Sequence, residues 1–175
     1  MGRKSKMHKR IYRKENPTEK NYNYGENGAY FITICTQHRK PILCDIVGEG
    51  SPLPQLTKQG RIVKNYIKML PIKHTEISVN KYVIMPDNIH LLIVVENDGG
   101  NGRGNPAPTV TAAMGWFKYQ ATKEINKTCN TVGTKIFQRS YYDHVIRNQA
   151  DFNECWEYID QNPTKWLLTH EKINS

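Results

Sequence analysis

The chain has 175 residues, 38% of them hydrophobic, and a net charge of +9; that suits one domain with a modest core and excludes a chain disordered throughout. No run of about 18 apolar residues occurs, so no membrane-spanning helix is expected. No apolar segment follows the charges at the N-terminus, as a secretory signal would require. Arg3, Lys4, Lys6, Lys9, Arg10, Arg13 and Lys14 crowd the first fourteen residues without an acid among them, leaving 18 basic against 16 acidic residues in the rest. Residues 1–20 are therefore expected to be a flexible basic arm held to a polyanion by counterion release, ahead of one domain over residues 21–170. Cys35, Cys44, Cys129 and Cys155 show no CxxC spacing, which suits reduced thiols in the cytoplasm and suggests neither a zinc ribbon nor a redox pair.

Tyr30 to Thr36 is rich in β-branched and aromatic residues and predicts a strand. Gly48, Gly50, Pro52 and Pro54 predict a flexible loop over 45–56. Thr57 then caps a helix carrying Ile62, Val63, Tyr66, Ile67 and Leu70, which Pro71 is expected to stop. Strands follow over Ile77 to Met85 and Asn88 to Val95. Residues 96–108 read as a second flexible loop, and a helix beginning at Thr109 places Val110, Ala113, Met114, Phe117, Ala121 and Ile125 on one face. Arg139 to Ile146 reads as a strand. The last helix is capped by Asn148 and expected to end before Pro163. The order β-α-β-β-α-β plus a helix predicts an α+β fold of the ferredoxin-like, split βαβ kind, with an antiparallel sheet and an added C-terminal helix.

Two places hold residues suited to chemistry. Along 88–95 the two-residue period puts Ile89, Leu91, Ile93 and Val95 on the core side, and Asn88, His90, Leu92 and Val94 on the other. Asn88 and His90 share a face and can reach one metal or phosphate. Asp87 is expected on the other face. On the last helix Phe152, Trp156 and Ile159 form the expected core stripe, with Tyr158 and Asn162, four apart, on a different face. A tyrosine attacks a phosphodiester once its proton is lost and the phosphate charge is masked, which calls for a nearby cation or base. Spacing alone also suits plain packing for Tyr158 and helix termination for Asn162.

Several segments, in order, resemble the REP-associated tyrosine transposases, a group of single-tyrosine HUH transposases of IS200-like type. They are Tyr22-Asn23-Tyr24, Gly28 to Thr36, Met85-Pro86, Asn88-Ile89-His90, Phe117-Lys118, Gln138 to Arg147, and Tyr158-Ile159-Asp160-Gln161-Asn162-Pro163, spanning roughly residues 20 to 166. The resemblance implies a DNA-binding transposase that cleaves and joins single-stranded, hairpin-containing DNA through a 5′-phosphotyrosine. It implies Tyr158 as nucleophile and a divalent Mg²⁺ or Mn²⁺ held by His90, Asn88 and Asn162. Asn88 stands where the family has the first histidine of its motif. Asparagine is shorter and uncharged, so a weaker metal site is expected, and a cleavage-impaired relative that binds DNA hairpins is the alternative. DNA contacts are expected from Arg3, Lys4, Lys6, Lys9, Arg10, Lys118 and Arg139, with Lys123 a further candidate. The expected protein is a monomer or homodimer, cytoplasmic and nucleoid-associated, with no membrane partner. Tyr141 and Tyr142 are an alternative nucleophile pair, and Asp143 and His144 are candidates to position DNA or to make structural hydrogen bonds. An RNA-binding module, with Tyr30 or Phe31 stacking on bases, is the lower alternative.

Overall fold

A computed structural model describes residues 28–48, 52–95 and 109–174. The basic arm, the Tyr22-Asn23-Tyr24 segment and the 96–108 loop lie outside the described residues. Strand β1 (Gly28–Cys35) is followed by a 3₁₀ turn (Gln37–Arg39), β2 (Cys44–Val47), β3 (Leu53–Leu56), helix α1 (Lys58–Lys73), β4 (Ile77–Ile84), β5 (Asn88–Val95), α2 (Thr109–Cys129), β6 (Tyr142–Ile146) and α3 (Gln149–Asn174). The main sheet has the order β4-β5-β1-β6, and every neighbouring pair is antiparallel. This is the ferredoxin-like order, with β2 and β3 paired in a separate ribbon.

Both faces of the sheet are covered. On one face α1 contributes Val63, Ile67 and Leu70, and α2 contributes Val110, Met114, Phe117 and Ile125, against Ile32, Ile34, Ile89, Leu91 and Ile93. Each such fully buried side chain is worth about 1.5–3 kcal/mol. On the other face α3 lays Cys155, Tyr158 and Ile159 over Phe31, Val83, Met85 and Leu92. The alternation read along β5 holds, although both of its faces are sealed. Burial of Tyr30 and Phe31, at 0% and 1% exposed, removes the rings a base-stacking RNA module would present.

Five local expectations change. Residues 44–47 and 53–56 pair as a ribbon, because Ile46, Val47, Leu53 and Leu56 give this glycine- and proline-containing segment enough strand character, and Pro54 suits an edge strand. Helix α1 runs through Pro71 to Lys73: in a last turn the ring costs one hydrogen bond, and the His74 N–H still reaches the Leu70 carbonyl at 2.8 Å. Helix α3 likewise continues through Pro163, which is itself buried and extends the Tyr158–Ile159 stripe toward Trp166. Trp156 is not a core residue; it is 38% exposed, and Cys155 and Tyr158 take the core-facing positions with Ile159. Strand β6 begins only at Tyr142.

The entry to α1 is closely fitted. The Thr57 hydroxyl accepts from the Gly60 N–H at 3.1 Å and donates to the Ile42 and Leu43 carbonyls at 2.7 and 2.9 Å. A Cβ on Gly60 would stand 1.9 Å from the Leu43 carbonyl oxygen. Gly→Ala inside a helix ordinarily stabilises by about 1 kcal/mol. Here the clash with backbone wins, and Gly60→Ala is expected to destabilise the protein by about 2 kcal/mol in urea unfolding; a stabilised variant would contradict this docking.

Candidate functional site

The α3 face of the sheet carries its polar residues in adjacent rows. Thr33 is opposite His90 on one side and opposite Tyr142 on the other, Phe31 is opposite Leu92 and His144, and Cys35 is opposite Asn88. Strand alternation places all of them under α3. His90 is 1% exposed, and its Nδ1 lies 2.9 Å from the Thr33 hydroxyl. With the Nδ1–H donating to that oxygen, Nε2 keeps its lone pair. Burial, aided by the Arg39 charge, lowers the His90 pKa to about 3, so the ring is neutral at physiological pH.

Tyr158 stands over this row. Its ring meets His90 edge-on, with centroids 5.2 Å apart, and meets Phe31 edge-on at 5.7 Å, while Phe31 stacks on His90 at 5.4 Å. The Lys165 ammonium is 5.1 Å from the Tyr158 ring centroid. The structure therefore brings together the tyrosine and the histidine that the sequence marks separately. Asn162 lies one turn after Tyr158. Among the described residues its Nδ2 and the Asn88 Oδ1 are buried without hydrogen-bond partners. Such orphaned amide atoms are costly unless something else engages them.

Asn88 is held by a group that the sequence pattern does not assemble. Its Nδ2 donates to Asp87 Oδ1 at 2.6 Å, and Asp87 Oδ2 pairs with Arg39 Nε at 2.9 Å. Arg39 Nη1 reaches Cys35 Sγ at 2.8 Å. Asp87 is only 6% exposed; it sits in the bend before β5, so strand alternation does not govern where its carboxylate points. His38 and Arg39 have φ of 56° and 55°, the left-handed region that side chains rarely adopt. That local backbone path brings Arg39 back to Asp87, and no sequence period announces it.

The remaining candidates are spread out. Tyr141 belongs to the opposite core and bonds Thr111 at 3.1 Å; burial raises its pKa. Tyr142 is on the α3 face. Lys118 donates to the Arg139 carbonyl at 2.7 Å in a contact at the surface, and partial burial lowers its pKa, so its amine braces the turn before β6. The Arg139 and Lys123 side chains are exposed. His144 Nε2 lies 2.9 Å from both Asp151 oxygens.

A four-stranded antiparallel sheet of this order, with a C-terminal helix laid over its second face, is a fold found in transposases. A REP-associated tyrosine transposase solved bound to a REP hairpin aligns with a TM-score of 0.51 and 20% identity, covering 79% of this chain and 67% of that one. A protein of Deinococcus radiodurans R1, provisionally described as a transposase, aligns with a TM-score of 0.50 and 14% identity over 85% of this chain and 97% of that one. No protein-family model matches the chain. In sequence, the chain is similar to a Haemophilus influenzae protein provisionally named a REP-associated tyrosine transposase, at 25% identity over 151 residues, 81% of this chain and 73% of the relative. It is also 29% identical over 160 residues to an uncharacterised protein of the same organism, covering 84% of this chain and 86% of that protein. The chain is thus similar in sequence and in fold to the REP-associated tyrosine transposases.

The buried neutral imidazole has a consequence for folding. In the unfolded chain His90 takes up a proton near pH 6.5; in the folded protein it does so only near pH 3. Its contribution to stability is present above pH 6.5 and is lost as pH falls toward 3, with a limiting slope of about 1.4 kcal/mol per pH unit. Urea unfolding at pH 7, 6 and 5 with EDTA present should show the slope reduced in His90→Gln; equal slopes would refute a buried neutral His90.

Proposed function

We propose that the protein cleaves and rejoins single-stranded, hairpin-bearing DNA, with Tyr158 as the nucleophile. The observation that carries this reading is the edge-on placement of Tyr158 against buried His90, 5.2 Å between centroids. The Tyr158 oxygen attacks the phosphorus and the bond to the 3′-oxygen breaks. A 5′-phosphotyrosine and a free 3′-hydroxyl result, the phenol proton ending on the leaving oxygen. Attack by a 3′-hydroxyl on the phosphotyrosine reverses the step and joins strands. The Lys165 charge beside the ring opposes the negative charge that builds on the phenol oxygen, and the sealed sheet face keeps water away from the ring.

The similarity to HUH transposases implies a divalent cation, and the donors suit one. Asn88 Oδ1 is buried without a partner among the described residues, and His90 is neutral with Nδ1 oriented by Thr33. Asn88, His90 and Asn162 would hold Mg²⁺ or Mn²⁺, which when bound supplies Lewis-acid polarisation of the phosphate. These three donors bring no negative charge, and the Asn88 amide nitrogen is committed to Asp87. That favours a second reading, a cleavage-impaired protein that binds DNA hairpins.

The readings separate by experiment. With Mn²⁺ and labelled single-stranded hairpin DNA, the active reading expects a covalent adduct that Tyr158→Phe abolishes and Tyr142→Phe retains. Tight binding without any adduct would leave the hairpin-binding reading; loss in Tyr142→Phe alone would move the nucleophile to β6.

Arg3, Lys4, Lys6, Lys9 and Arg10 are proposed to contact phosphates without reading sequence, with the exposed Arg139 guanidinium adding to them. Removing residues 1–14 should flatten the dependence of affinity on salt by about 0.7 log units per log unit for each single-strand phosphate that the arm neutralises, with little change in hairpin preference. An unchanged salt slope would exclude the arm.

A further inference from the structure

We propose that His144, Asp151 and Cys155 form a second metal site, one that takes a borderline-soft divalent cation such as Zn²⁺ in preference to Mg²⁺ or Mn²⁺. Among the described residues these three offer one imidazole nitrogen, one carboxylate oxygen and one sulfur, all within 4.8 Å of one another. The site shares no residue with Asn88, His90 and Asn162, and the proposal stands whether or not the DNA-cleaving reading does.

The fold builds the cluster from two elements. His144 lies in the middle of β6, on the face covered by α3. Asp151 and Cys155 are four apart in the first turns of α3 and stack on one face of it. The turn bearing Asp151 is fixed twice. Asn148 Oδ1 accepts from the Asp151 N–H at 2.9 Å, and Asp151 Oδ2 accepts from the Arg147 N–H at 3.2 Å. The second bond orients the carboxylate from behind, as outer partners of metal ligands do. Cys155 is 1% exposed and packs in the same cluster as Phe31 and Ile159, whereas the His144 and Asp151 side chains keep 21% and 22% of their surface. One side of the cluster is thus dry and the other admits an ion.

Donor chemistry sets the selectivity. Mg²⁺ and Mn²⁺ favour oxygen ligands, while an imidazole–carboxylate–thiolate set suits Zn²⁺ or Co²⁺. Metal–ligand bonds of about 2.0–2.3 Å place tetrahedral ligand atoms roughly 3.3–3.7 Å apart. His144 and Asp151 are already in contact at 2.9 Å, and the most distant pair needs to close by about 1 Å. On binding, the Cys155 S–H bond breaks, a sulfur–metal bond forms and the proton passes to solvent. His144 Nε2 gives up its hydrogen bond to Asp151 and coordinates, the ring carrying its proton on Nδ1. Three protein ligands leave a fourth position to water. The bound ion would tie β6 to α3 one turn ahead of Tyr158.

The bland alternative is a His144–Asp151 ion pair beside an inert buried thiol, and the two differ in a spectrum. Metal-free full-length protein titrated with Co²⁺ should show a near-ultraviolet thiolate-to-cobalt charge-transfer band saturating at one ion per chain. Zn²⁺ should abolish the band, and a large excess of Mg²⁺ should not. Cys155→Ser should lose it, and Asn88→Ala should keep it. Asp151→Asn retains an acceptor for the Arg147 N–H and tests the site without emptying the core. Its Zn²⁺ affinity, by competition with a chromophoric chelator, should fall at least tenfold. No band in the native protein, a band that survives Cys155→Ser, or an unchanged affinity in Asp151→Asn would each overturn the proposal.

Discussion

The contact between the Thr33 hydroxyl and His90 Nδ1, 2.9 Å long and sealed from water, governs the α3 side of the molecule. A four-stranded sheet covered on both faces has little room for polar side chains that lack partners. Thr33 and His90 sit opposite each other in the register of β1 and β5, so each satisfies the other where hydration is not possible. Threonine thus orients the ring through one of its two nitrogens. Phe31 stacks beneath the imidazole and Tyr158 closes over it, so the ring is fixed by a hydrogen bond and two aromatic contacts.

Charge is organised around this neutral centre rather than in it. Arg39, Asp87 and Asn88 form a chain of contacts at the end of the same face, and the guanidinium helps keep His90 unprotonated. Asn88 is thus embedded in its own network. Asn88 is oriented by a carboxylate, which is itself neutralised by arginine, and its amide oxygen is left unengaged among the described residues. A histidine at that position would have a ring nitrogen to offer in place of an amide oxygen, and no amide nitrogen for Asp87 to accept from.

Much of this is legible in the sequence because it rests on short periods. The alternation along β5, the cap at Thr57, the cap at Asn148 and the ferredoxin-like order all follow from local pattern, and the family resemblance puts Tyr158 and His90 in one site without any knowledge of how their rings touch. Long-range packing is not legible. Helical spacing favours a core stripe of Phe152, Trp156 and Ile159 because tryptophan is usually buried; the contacts instead favour Cys155 and Tyr158, and Trp156 sits at the surface beneath Lys81, whose ammonium is 4.0 Å from its ring centroid. Pro71 and Pro163 look like stops in the sequence, yet each costs a single hydrogen bond in a helix whose apolar face is already committed. The Arg39–Asp87 pair and the His144–Asp151–Cys155 cluster depend on backbone turns and strand neighbours, which carry no periodic trace.

Pro163 gives α3 a mechanical property that its length conceals. Lacking an N–H, it leaves the Ile159 carbonyl without its helical donor, so the rungs holding the two halves of the helix together are one fewer at that level. The break falls between Tyr158, clamped to the sheet, and Lys165, whose ammonium stands over the same ring. Pro163 thus marks the level at which the turn carrying Lys165 is joined to the turn carrying Tyr158 by one hydrogen bond fewer.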